Sequence, residues 1–232
     1  MPKEELLARV LYRDALMLVI DKPAGLAVHP GPRGGPSLED SFDALRFGLP
    51  RPPHLAHRLD RDTSGCLVLG RHRKALAQLG ELFASGKVDK EYWAIVLGAP
   101  AAEAGTVDLA LAKRSTRERG WWMEPDPSGQ PALTDYRVLG ASRQNGEIFS
   151  WIVLRPRSGR THQIRVHLQA LGCPVVGDPI YGPSEPGTTL RRLHLHSRSI
   201  TIPLYPKRDS IHVEAPVPSH MNQLLAACGH NE

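Results

Sequence analysis

The 232-residue chain is poor in cysteine, in lysine, in aromatic residues and in long apolar runs. Its three cysteines (Cys66, Cys173 and Cys228) are widely spaced and form no C-x-x-C. That argues against a disulfide framework and a four-cysteine zinc site, and leaves buried reduced thiols as the plain reading. The longest clear apolar run, Ala15 to Ile20, is far shorter than the ~20 residues a membrane helix needs. Met1-Pro2-Lys3-Glu4-Glu5 carries acid where a signal peptide would carry base and then an apolar stretch. A cytoplasmic protein with no membrane partner is expected. The sequence contains no P-loop, no G-x-G-x-x-G and no H-E-x-x-H, so nothing in it announces a nucleotide, a dinucleotide or a catalytic zinc.

Hydrophobic residues make up 41% of the chain and charged residues 23%, the balance of a soluble globular protein. The net charge is +5 and the pI about 9.3, a moderate lean toward polyanions. Only seven of the 29 basic residues are lysine, leaving 22 arginines. Arginine presents a planar fork of donors to phosphate and stacks on bases. A GC-rich genome produces the same bias.

Val10 to Asp21 reads as two short strands around Arg13-Asp14, followed by a Pro/Gly-rich loop from Lys22 to Pro36. Ser37 is placed to cap a helix from Leu38 to about Phe47. Cys66 to Leu69 reads as a buried strand, Arg73 to Ser85 as a helix stopped by Gly86, and Tyr92 to Leu97 as a strand. Residues 98–130 look loop-rich, with one short strand near Val107. Ala132 to Leu139 and Glu147 to Leu154 fit an antiparallel pair closed at Asn145-Gly146. Thr161 to Ala170 is helical, Leu193 to Leu204 and Ile211 to Glu214 are strands, and Met221 to Cys228 is a terminal helix. The expectation is one α+β domain over residues 1–232, with a mixed, mainly antiparallel central sheet and flanking helices and loops. A monomer is the default.

The densest chemistry lies in His57-Arg58-Leu59-Asp60-Arg61-Asp62-Thr63-Ser64-Gly65. A carboxylate between Arg58 and Arg61 sits near positive charge, which favours its ionised form and suits it to act as nucleophile or base. Taken alone, the cluster reads more readily as a solvated surface turn.

HRLDRDTSG resembles the signature loop of the RluA-type family of RNA pseudouridine synthases, H-R-L-D-x-x-T-S-G, at every fixed position. Further segments agree in the family's order: Asp14 to His29 with its K-P-A-G, Lys90-Glu91-Tyr92-Trp93-Ala94, Gly159 to His167 with its G-R-x-H-Q-I-R, and Gly177-Asp178-Pro179-Ile180-Tyr181-Gly182. The likeness covers roughly residues 10–217. Two places depart from the family pattern: Leu195 follows Leu193-His194, and Ile202-Pro203-Leu204 replaces an aromatic and His-Pro ending. The accessory RNA-binding module that some members carry at the N-terminus is not expected, because the catalytic strands begin by about residue 10.

The resemblance implies Asp60 as the essential carboxylate, Arg165 as its guanidinium partner and Tyr92 as a stacking and proton-transfer group. It implies substrate contacts from Arg58, His57, Ile164, Arg61 and Arg160, with Arg58 filling the place of a flipped uridine. The partner would be RNA, a stem-loop of tRNA or of large-subunit rRNA. No cofactor and no metal are expected, because the isomerisation neither oxidises nor adds a group. Arg155, Arg157, Arg160, Arg191 and Arg192 are candidate phosphate contacts. Two rival readings exist. One is a catalytically inactive RNA-binding or ribosome-assembly protein on the same fold. The other is a metal hydrolase built on His194-x-His196, whose alternate residues share a strand face.

Overall fold

A computed structural model of the chain describes residues 1–31, 34–118, 120–183 and 192–231. The strands, in chain order, are β1 (Val10–Arg13), β2 (Met17–Lys22), β3 (His54–Leu55), β4 (Ser64–Gly70), β5 (Asp89–Leu97), β6 (Ala104–Asp108), β7 (Leu111–Thr116), β8 (Gly120–Pro125), β9 (Leu133–Gln144), β10 (Glu147–Pro156), β11 (Leu195–Ile202) and β12 (Ile211–Glu214). The α-helices are α1 (Lys3–Ala8), α2 (Arg73–Ala84), α3 (Gln163–Ala170) and α4 (Ser219–Ala227), with a 3-10 helix at Glu39–Leu45. The class is α+β with a large, mainly antiparallel sheet and few helices, as the sequence implied. The chain divides into two compact units, Met1–Lys90 with Ser197–Pro216 and Glu91–His196 with Val217–Glu232. Each draws on two stretches of chain, so no linker marks the division.

In the first unit the strands run in the order β1-β2-β4-β11-β12, with β3 also on β4. β2 and β4 are antiparallel in the register Met17↔Gly70 to Lys22↔Gly65. On one face Met17, Val19, Cys66 and Val68 join Leu79 of α2 and Val213 of β12 in a buried cluster. On the other, Leu18, Ile20, Leu67 and Leu69 are fully buried. A strand apolar on both faces reads as a continuous run, and that is how β4 looks in the sequence. α2 begins at His72, whose ring accepts the Ala75 amide.

In the second unit β5, β10, β9 and β6 form successive antiparallel ladders. The β9–β10 hairpin closes through Asn145 (φ 51°) and Gly146 (φ 85°), both in the left-handed region that a two-residue turn of the I′ kind demands. α4 packs Met221, Leu224, Leu225 and Cys228 against Ile95, Phe149 and Trp151. Gly140 of β9 lets the end of α4 come close, since a Cβ there would lie 1.8 Å from the Cys228 carbonyl oxygen.

Two expectations need correction. Residues 98–130 hold three strands, not one, including the β7–β8 hairpin paired from Leu111↔Pro125 to Thr116↔Gly120. Lys113-Arg114-Ser115-Thr116 is too polar to show alternation, because most of β7 is exposed and only Leu111 is buried. The segment after Ser37 is 3-10, not α. Its N-cap is Leu38, and the Ser37 amide donates to the Asp40 carboxylate at 2.7 Å.

Candidate active site

The HRLDRDTSG segment is the turn that feeds β4. Leu59 is buried and anchors it, while the Thr63 amide donates to the Asp60 carbonyl at 3.2 Å. Gly65 takes φ 103°, a conformation L side chains rarely adopt, at the second residue of β4. Lys22, opposite Gly65, is fully buried and aims its ammonium at the turn. Its Nζ donates to the carbonyls of Pro23 (2.7 Å), Arg61 (2.8 Å) and Thr63 (2.9 Å). Burial pulls the Lys22 pKa down to about 7, against the opposing pull of the Asp62, Asp60 and Asp21 carboxylates. Gly25 and Arg61 add a reciprocal pair: the Gly25 amide donates to the Arg61 carbonyl and the Arg61 guanidinium to the Gly25 carbonyl, both at 3.0 Å. The K-P-A-G and HRLDRDTSG segments are therefore two halves of one hydrogen-bonded structure.

Arg58 is exposed and Asp60 half-buried on this turn. His57 faces the base of it. Its Nε2 accepts the Val68 amide at 3.0 Å, and its ring stacks on Phe83 with centroids 4.5 Å apart. Loss of water around the imidazole holds its pKa down to about 3, with the Lys90 charge acting the same way. The structure thus places His57 as an anchor of the turn.

The other candidates lie in the second unit. Tyr92 is buried on β5, opposite Leu154 of β10. Ile164 and Arg165 are in α3, whose residues Gln163 to Leu168 are all buried although three of them are polar. Each polar one is satisfied. The Gln163 amide oxygen accepts from Ser158 (2.8 Å) and the Arg160 amide (3.0 Å), and its nitrogen donates to the Leu133 carbonyl (3.0 Å) and Thr134 (2.9 Å). His167 bridges Thr134 and the Leu109 carbonyl. Arg165 meets Asp178 twice, Nε to Oδ2 and Nη2 to Oδ1, each at 2.7 Å, with both side chains almost wholly out of water.

Asp178 Oδ1 also accepts the amides of Ile180 and Tyr181, and the Tyr181 ring lies 5.1 Å from the Arg165 guanidinium carbon. Asp178 and Lys22 are the positioning residues that sequence reasoning missed. Both stood inside quoted motifs, but spacing along the chain does not say which side chain a carboxylate or ammonium will face. Arg160 is exposed and donates to the Pro131 carbonyl. Arg155 pairs with Glu91 and Arg157 with Asp135 at the surface. Arg192 is exposed, and Arg191 lies outside the described residues. Among the described residues no three His, Cys, Asp or Glu side chains gather as a metal would require, the His194-x-His196 pair included.

The family model described as RNA pseudouridylate synthase matches residues 16–170, from β2 to the end of α3. The chain belongs to the RluA-type family of RNA pseudouridine synthases. It is 43% identical to an uncharacterized RNA pseudouridine synthase of Zymomonas mobilis, over 93% of this chain and 96% of that one. Ribosomal large subunit pseudouridine synthase D of Xanthomonas campestris is 38% identical over 94% of this chain and 68% of its own. Among solved structures, human RNA pseudouridylate synthase domain containing 4 superposes with a TM-score of 0.79 at 28% identity, covering 97% of this chain and 95% of that one. The activity class is therefore isomerisation of uridine in RNA.

Two outcomes follow from this geometry. Asp178→Ala removes the bidentate partner of a buried guanidinium and should cost about 3–5 kcal/mol in urea unfolding, with much of the loss regained in Arg165→Met/Asp178→Leu. A cost under about 1 kcal/mol would mean the pair is effectively at the surface. The second outcome concerns pH. The folded His57 refuses a proton until about pH 3, whereas the unfolded ring takes one near its ordinary value of 6.5. Unfolded chains therefore bind more protons in that window, and the His57 contribution is lost as pH falls through it. Wild-type stability relative to His57→Phe should decline by up to about 1.4 kcal/mol per pH unit between pH 6 and 4. A flat difference would refute the neutral, desolvated ring.

Proposed function

We propose that this pseudouridine synthase isomerises a specific uridine in a structured RNA, with Asp60 as the catalytic carboxylate. The observation that carries the reading is the Asp60 turn, locked to the end of β2 and to the K-P-A-G segment by the buried Lys22 ammonium. A carboxylate that must meet one atom of a large substrate benefits from a backbone fixed before binding. The reaction breaks C1′–N1, turns the uracil, joins C5 to C1′, and exchanges the C5 proton for one on N1. Attack of Asp60 on the sugar, attack on the base, and passage through a glycal all use the same carboxylate. Arg165 is the catalytic guanidinium in this reading, and its own orientation is set by Asp178. Tyr92 offers a ring to the base and a phenol for proton transfer. Ile164 packs beside the uracil, and Arg61, Arg160 and His57 support the substrate or the turn that meets it. No cofactor takes part in this scheme.

The target uridine leaves its stack, at a cost of a few kcal/mol that is least in a loop, and Arg58 takes the vacated place. Relatives named as ribosomal large subunit synthases favour a stem-loop of large-subunit rRNA over tRNA as the substrate. We place the enzyme in the cytoplasm as a monomer.

The test maps pseudouridine across rRNA and tRNA from cells with and without the gene. One uridine should lose its modification on deletion and regain it with the wild-type gene, while Asp60→Ala should fail to restore it and lose roughly a thousandfold or more in rate in vitro. Restoration by Asp60→Ala would end the assignment of that carboxylate. Arg58→Ala should lower turnover roughly tenfold or more, with RNA affinity changed far less. Equal losses in both would count against base flipping.

A further inference from the structure

Trp121 is 44% exposed, an unusual position for the largest apolar side chain. The strand register explains how it gets there. On β8, Trp121 and Met123 share one face and Trp122 and Glu124 the other. Met123 enters the buried cluster with Val166 of α3 and Tyr181, Trp122 packs against it, and Trp121 reaches its rim through His162, which bonds Tyr181.

At the rim the indole stacks on His162, with centroids 4.9 Å apart and ring planes at 27°. Lys113, diagonal to it on β7, places Nζ 5.1 Å from the ring centroid. His162 is held in turn. It adopts φ 53°, and its Nδ1 lies 2.8 Å from the Tyr181 hydroxyl, which also accepts the Met123 amide at 2.9 Å. The Tyr181 ring is the one that flanks Arg165. Two rings thus connect an exposed indole to the buried Arg165–Asp178 pair.

We propose that Trp121 is a stacking platform for an unpaired base of the substrate RNA, with Lys113 beside it for the backbone phosphate. This rests on the reading that the chain modifies RNA, and it adds a base-binding residue that the family motifs do not contain. Every base has a π-face, so an exposed indole accepts one whatever the sequence, and a neighbouring ammonium neutralises the phosphate that comes with it. His162 pre-orients the ring, which reduces the entropy lost on binding. A protein partner would call for a broad apolar patch. Here the exposed indole stands beside the exposed, basic Lys113, which suits a polyanion.

The test uses wild-type, Trp121→Phe and Trp121→Ala proteins with a fluorescent cytidine 12-mer and a G·C duplex of equal length. The 12-mer contains no uridine, so neither turnover nor the role of Asp60 enters the result. Trp121→Ala should bind the single strand roughly 5- to 100-fold more weakly. Trp121→Phe should keep most of the affinity, duplex binding should barely move, and Lys113→Gln should reduce the salt dependence of single-strand binding. On a modified RNA, Trp121→Ala should raise KM more than it lowers kcat. Unchanged single-strand binding, or equal weakening toward single strand and duplex, overturns the platform. If pseudouridine still forms in that case, the reading of the enzyme stands without it. If wild-type forms no pseudouridine in any RNA, that reading fails whatever Trp121 binds.

Discussion

A guanidinium taken out of water needs acceptors in place of its hydration, and Arg165 finds them in the opposite charge of Asp178, through two hydrogen bonds of 2.7 Å. Burying either charge alone costs several kcal/mol, so each side chain depends on the other. The pair fixes more than itself. Asp178 has oxygen lone pairs left for the Ile180 and Tyr181 amides, which shape the G-D-x-x-Y-G turn, and Tyr181 then reaches His162. α3 is buried along Gln163 to Leu168 because Gln163, Arg165 and His167 are all answered by partners. A polar helix can enter a core only on those terms.

The first unit solves the corresponding problem with backbone in place of a carboxylate. Three carbonyls surround the Lys22 ammonium, and two of them belong to the turn that carries Asp60. The ammonium has three donors and all three are used, so this lysine is a clamp. Burial shows in the depressed pKa, and the ammonium holds the turn through the Arg61 and Thr63 carbonyls. His57 completes the anchoring by offering an unprotonated nitrogen to β4. The family resemblance implied a substrate role for that histidine, whereas the structure shows its acceptor nitrogen engaged by the Val68 amide.

Much of this was legible in the residues, unevenly and for physical reasons. The β9–β10 hairpin was announced by Asn145-Gly146, since few residue pairs take two left-handed conformations in a row. α2 was announced by helical spacing of its apolar residues. The β7–β8 hairpin was not, because an exposed ribbon carries no alternating signal and its pairing is set by the partner strand. The segment after Ser37 had a plausible cap, but the Asp40 carboxylate accepts the Ser37 amide, Leu38 stands at the N-cap, and the turn winds as 3-10 although Phe42 and Leu45 are buried.

By itself the sequence determined the fold class, the family and the turn around Asp60, because those depend on short-range residue patterns that survive in any context. Only the tertiary structure decided that Lys22 grips that turn and that Arg165 is held by Asp178. It also decided that Trp121 rests on His162 at the edge of a core. Each of these joins residues distant in sequence, and a charge or a ring acquires its partner only when folding removes the water that would otherwise serve.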